Sequence, residues 1–185
     1  MKATQELKNE HRGIEQMLRV LIAISENMGR GESLHLPHVD RIMEFLTVFI
    51  DKCHHGKEEE FLFPALEAAG VLREGGPIGV LLEEHDEGRR LVSRLEQCIA
   101  EQRSGDRRAA DGIQETVTAY VNLLQQHITK EDTVLFPLAD ARLDAEQHAV
   151  LFEDFEQLER ERIGAGKHEA FHALLEELQS IYLDD

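Results

Sequence analysis

Tryptophan is missing from this chain, tyrosine occurs twice, and the 185 residues hold only two cysteines and four prolines. Cys53 and Cys98 form no C-x-x-C pattern and imply no disulfide framework. Positive charge is also scarce. Twenty Lys and Arg face 37 Asp and Glu, and the net charge of −17 argues against nucleic acid and anionic membrane as partners. No long apolar run exists either: the longest aliphatic stretch, Val20 to Ile24, is too short to span a bilayer. The segment Met1 to Arg12 is polar and has no apolar h-region, so no secretory signal is expected and a soluble, cytoplasmic protein is. What remains, 42% apolar and 31% charged residues with few aromatics, suits a helical protein large enough to bury a core.

Apolar residues recur at helical spacing almost throughout, and no segment alternates like a strand. A first helix is predicted from Thr4 to Met28, with its inner seam at Leu7, His11, Ile14, Leu18, Leu21, Ser25 and Met28. A second starts near His38 and carries Val39, Met43, Leu46, Ile50, His54 and Glu58 inward, until Pro64 breaks or kinks it. The third presents Ile78, Leu81, His85, Gly88, Val92, Leu95 and Ile99. The fourth presents Ile113, Val117, Tyr120, Leu124, His127, Glu131, Val134 and Leu138. Short loops between long amphipathic helices favour antiparallel neighbours, so the expected fold is all-α, an up-down-up-down four-helix bundle over residues 1–142. Residues 143–185 form a C-terminal helical extension. Its stripes, Leu151, Phe155 and Leu158, then Phe171, Leu174, Leu178 and Ile181, would either cap the bundle or pair with a second copy as a homodimer.

The chain is built twice. His54-x-x-x-Glu58-x-x-x-x-Phe63-Pro64 returns 73 residues later as His127-x-x-x-Glu131-x-x-x-x-Phe136-Pro137, and Glu10-His11 returns 74 residues later as Glu84-His85. A histidine and a glutamate four apart project from one helix face and can reach a common point. A lone histidine on a seam is usually a hydrogen-bonded core residue. Four of them, two followed by a seam glutamate and all related by one offset, would leave several buried polar groups unpaired unless something binds them. Imidazole and carboxylate together suit transition metals. His11, His54, Glu58, His85, His127 and Glu131 are therefore the expected ligands of a two-metal site.

Neighbouring candidates are weaker. His55 and Glu59 repeat the four-residue spacing one position along, on a stripe with Asp51 and Lys52 that looks solvated. They are supplementary ligands at best, His55 the better of the two. Glu15 and Arg89, four residues beyond His11 and His85, could reach the rim. His168 and His172 make a pair without an evident third ligand. His35, His38 and His148 carry no signal, and Cys53 is expected in core packing.

These residues resemble the hemerythrin-like, HHE cation-binding family, whose pattern is a helix 1 histidine, H-x-x-x-E on helix 2, a helix 3 histidine and H-x-x-x-E on helix 4. The stretches "HHGKEEEFLFP" at 54–64 and "HITKEDTVLFP" at 127–137 carry the likeness. The resemblance covers residues 1 to about 141. It implies a non-haem centre of two iron ions of the Fe-O-Fe type, bridged by Glu58 and Glu131, with zinc or manganese as other metals the donors would accept. Oxygen-carrying members have a second helix 3 histidine where this chain has Arg89, and an aspartate where it has Glu131. The iron–sulfur repair branch carries an N-terminal cysteine-containing module that is not expected here. The implied partners are metal ions and a small diatomic ligand. The favoured function is a protein that binds or senses oxygen, nitric oxide or iron. A di-iron oxidase or peroxidase-like enzyme and a zinc-holding structural domain are the alternatives.

Overall fold

The computed structural model describes residues 2–106, 108–164 and 166–183, and among them every regular element is a helix. In chain order these are α1 (Ala3–Gly29), α2 (Leu36–Glu44), α3 (Phe63–Ala68), α4 (Pro77–Arg103), α5 (Ala109–Lys130), α6 (Phe136–Arg142), α7 (Ala145–Arg162) and α8 (Lys167–Tyr182). Wider π-helical turns at Phe45–His55 and Glu58–Leu62 join α2 to α3 in one continuous rod, and another at Glu131–Leu135 joins α5 to α6.

The wide turns at Glu58–Leu62 and Glu131–Leu135 answer to the repeat. Pro64 and Pro137 each lie near the start of the α-helix that follows a π turn. Proline offers no N–H and crowds the carbonyl four residues back, so an ordinary α-helical turn cannot run through it. Spreading the preceding turn to the i→i+5 pattern is one way the rod accommodates the ring. The expected break at Pro64 is therefore a widening, and the rod runs on to Ala68. The extra residue in the turn also shifts the seam by one. Val134, expected inside, is 53% exposed, and Leu135 takes the buried place.

The apolar core falls into two clusters with a polar layer between them. On α1, Leu7 belongs to one cluster, Ile14 to the other, and His11 lies between. Along the α2–α3 rod the order is Ile50, then His54 and Glu58, then Leu62. On α4 it is Leu81, His85, Leu95; along α5–α6 it is Leu124, then His127 and Glu131, then Leu135. The order of clusters reverses from each rod to the next, so every rod places its polar residues at the same level.

The C-terminal helices pack on the bundle itself. Phe171, Leu174, Leu175 and Leu178 of α8 enter the larger cluster, and Leu151 and Phe155 of α7 enter the smaller. Ile181, read as part of the α8 stripe, is exposed. Asp144 starts α7 with a reciprocal cap: its carboxylate accepts from the Gln147 backbone N–H, while the Gln147 side chain accepts from its own. No helix among the described residues is long and apolar enough to cross a membrane.

Candidate metal centre

In the polar layer the imidazoles meet in pairs. His11 Nε2 lies 3.1 Å from His54 Nε2, and His85 Nε2 lies 3.1 Å from His127 Nε2. Glu58 directs Oε1 toward His54 at 3.7 Å and Oε2 toward His85 at 3.4 Å. Glu131 directs Oε2 toward His11 at 3.2 Å and Oε1 toward His127 at 3.3 Å. Each carboxylate thus reaches one imidazole of each pair. Both are fully buried, and none of their four oxygens makes a hydrogen bond.

Behind every one of the four imidazoles stands another carboxylate. Nδ1 of His54 is 2.7 Å from Glu10, Nδ1 of His127 is 3.0 Å from Glu84, Nδ1 of His85 is 2.7 Å from Glu59, and Nδ1 of His11 is 2.9 Å from Asp132. A carboxylate on Nδ1 fixes the tautomer with the proton on that side and leaves the Nε2 lone pair facing inward. Two lone pairs aimed at each other across 3.1 Å repel unless a proton or a cation lies between them. The donor set therefore fits cations: paired Nε2 atoms, unsatisfied carboxylate oxygens and outer carboxylates that hold the rings.

His55 is the main correction to the solvated-stripe reading. It is 4% exposed, stacks on His85 with centroids 3.8 Å apart, and leaves both ring nitrogens without a hydrogen bond. The reason is local: the π-helical stretch Phe45–His55 brings both His54 and His55 inward, where a regular α-helix would turn one of them away. Donor atoms of His55, Glu58, His85 and His127 lie within 4.8 Å of one another, as do those of His11, His54, Glu58 and Glu131. The six expected residues and His55 therefore form two adjoining donor groups. Glu59 is half-buried and holds His85 Nδ1, and Arg89 clamps Glu59 at 2.6 Å and Asp51 at 2.8 Å, outside the donor groups. Glu15 is exposed, Cys53 is in the core, and His38 bonds to Tyr182.

The electrostatics follow from these contacts. Burial alone would lower the His11 pKa, but Asp132 and Glu131 outweigh it and raise it to about 9. For His127 burial is likewise overcome, chiefly by the Glu131 charge, and the value reaches about 10. Burial would raise Glu10; its hydrogen bond to His54 and the Lys57 ammonium bring it down to about 2 instead. His55 goes the other way, held well below the ordinary imidazole value by burial and then by its positive neighbours His85 and His127. A neutral imidazole is the form that ligates a metal.

Sequence reasoning assigned no role to Glu10, Glu84, Asp132, Lys57 or Lys130. The signal was present in the repeat: Lys57 and Lys130 each precede the seam glutamate, Glu59 and Asp132 each follow it, and Glu10 and Glu84 each precede a seam histidine. Beside the centre, a cavity of about 180 Å³ opens between the Phe45–His55 stretch and α4. It is walled by Leu46, Ile50, Val92 and Tyr120 and reaches His55, with Asp51 and Arg89 on its lining.

Among curated proteins, the chain is 27% identical over 162 residues to uncharacterized proteins of Mycobacterium tuberculosis and Mycobacterium bovis, covering 88% of this chain and 63% of theirs. It is 31% identical over 112 residues to the iron-sulfur cluster repair protein YtfE of Salmonella newport, covering 56% of this chain and 49% of that one. The chain thus spans less than two thirds of the length of these relatives. No solved structure matches. The family model for the Hemerythrin HHE cation binding domain matches residues 2–139, which contain every donor described above, and the chain belongs to that family.

Proposed function

We propose that the chain holds two cations side by side, one among His11, His54, Glu58 and Glu131, the other among His55, His85, His127 and the same two carboxylates. The observation that carries this is the aim of Glu58 and Glu131, each with one oxygen toward each imidazole pair. A single structural zinc needs only four donors, and seven residues in two groups exceed that. Iron is the proposed metal on the strength of the family resemblance, since affinity order alone does not select it. When bound, iron supplies a redox-active Lewis-acid centre to which a diatomic ligand can attach.

The chain's own residues do the rest. Glu10, Glu59, Glu84 and Asp132 orient the rings, the two apolar clusters keep water from the layer, and Arg89 fixes Glu59. The cavity at His55 gives a small molecule an approach from solvent. The function we infer is binding or sensing of oxygen, nitric oxide or iron itself. His55 fills the gap that Arg89 leaves in the donor set, which favours holding a ligand over turning one over. The oxidase or peroxidase-like reading needs an acid–base group free to act, and the carboxylates around the rings are all engaged. Iron–sulfur repair, the role named for the Salmonella relatives, is not part of the proposal, because the chain spans about half their length.

Anaerobic ferrous titration followed by oxygen or nitric oxide tests this. Two irons per chain and a reversible change in absorption support binding. Irreversible oxidation with turnover would shift the assignment to an enzyme, and no response to either gas would leave iron itself as the ligand.

A further inference from the structure

Because the chain is built twice, each half serves as a control for the other, and the outer shells of the two halves are not alike. In the first, Glu10 takes His54 Nδ1 on one oxygen and Lys57 Nζ on the other, at 2.7 and 2.5 Å. In the second, Glu84 takes His127 and Lys130 in the same way. The wiring matches, but the exposure does not: the Lys57 side chain is 1% accessible and that of Lys130 is 42%. The difference is α7. Its Glu159 accepts a second bond from Lys57 at 3.2 Å, and its Phe155 ring faces the same ammonium. Among the described residues Lys130 has no such third partner.

Position 56 shows the same asymmetry in the backbone. Gly56 sits inside the rod, where glycine costs about 1 kcal/mol relative to alanine. A Cβ there would stand 3.2 Å from the Arg162 guanidinium and 3.5 Å from Leu158, both on α7. Its counterpart 73 residues on is Thr129, which is exposed. The half that carries glycine is the half that α7 lies across. Glu10, Glu159 and His168 are close enough together to suggest a third cation site, but Lys57 already bridges the two carboxylates and serves as the cation there.

We propose that α7 is a positioning element for one metal position only, acting through Glu159 on Lys57, Glu10 and His54. Dry and doubly paired, Lys57 holds Glu10 in one place, and Glu10 holds the His54 ring. The Lys130–Glu84 pair, in contact with water, leaves His127 freer to adjust. The two positions then differ in affinity and exchange although their inner donors are nearly related by the repeat. This gives α7, the first helix of the C-terminal extension, a function at the centre.

The inference rests on the two-cation reading, and the test separates the two. Full-length protein is titrated with zinc, as a diamagnetic probe, and solvent exchange of its carboxylate-bonded imidazole N–H protons is followed by NMR. The His54 N–H should exchange more slowly than its counterpart, the His127 N–H. Glu159→Ala should speed His54 exchange alone and weaken one zinc step by about tenfold, the lower end for loss of an outer partner. Glu159→Gln, which keeps an acceptor for Lys57, should recover part of that loss. Uptake of two zincs with all four N–H signals altered, or none, overturns the role of α7 while leaving the two-cation centre intact. Failure of wild type to take up zinc overturns both.

Discussion

Loading metal into this centre at pH 8 should expel about two protons per chain. In the metal-free protein His11 holds a proton because Asp132 and Glu131 face it, and His127 because Glu131 and Glu84 do, with values of about 9 and about 10. At pH 8 they are then about 90% and about 99% protonated, and His85, also raised by Glu58 and Glu59 against its burial, adds to the count. Five imidazoles titrating at the ordinary value would together release about 0.2 proton at that pH. The sign is fixed by the direction of the shifts. A raised histidine pKa stabilises the metal-free fold fully below the ordinary value, and that contribution fades as pH climbs through 9 to 10. Metal must displace these protons, so apparent affinity rises with pH over the same window. At pH 7 the displacement costs about 3 kcal/mol at His11 and about 4 kcal/mol at His127. Calorimetric titration in buffers of different ionisation enthalpy counts the protons directly. Glu131→Gln, which removes a charge facing both rings, should lower the release. A wild-type release under about half a proton would refute the reasoning, since ordinary histidines would suffice to explain it.

Other consequences concern single residues. His55→Ala should weaken one of the two metal positions by about tenfold or more while His172→Ala leaves both unchanged, as metal analysis after dialysis would show. Glu59→Ala should retain two metals at about 10–100-fold lower affinity at one position, whereas Glu131→Ala, which removes a donor shared by both, should fall below two per chain. Leu178→Ala in α8, a fully buried residue of the larger cluster, should cost about 2–5 kcal/mol in denaturant unfolding. An effect below 0.5 kcal/mol, as for a surface site, would mean α8 is not part of the bundle core. Gly88→Leu, whose first carbon meets only ordinary contacts with Tyr120, Leu123 and Leu124, should fill the cavity at His55 and slow azide association without changing metal content. Unchanged rates would remove the cavity from the approach path.

The helices and most of their buried faces were legible in the sequence because burial at regular helical spacing is a strong signal. The places where that reading fails share one cause. A π turn changes the angle between successive residues, so any argument that steps around an ideal α-helix goes wrong downstream of it. For this reason ideal helical spacing puts Val134 inside and His55 on a solvated stripe, and the structure places neither there. The prolines that accompany the wide turns, Pro64 and Pro137, were visible, but proline ordinarily announces a break rather than a widening. Glu10, Glu84 and Asp132 are hidden differently: they sit on helices crowded with acidic residues, and the repeat that marks them does not say which Nδ1 each one meets. The cover that α7 places over Lys57 depends on long-range packing that no local pattern encodes.

The central claim, two cations shared by Glu58 and Glu131, is tested most directly by counting metal. Protein purified without oxygen and equilibrated with ferrous iron should retain two irons per chain, and Glu131→Ala should retain fewer. One zinc and no iron in wild type, or full retention of two irons in Glu131→Ala, would contradict it.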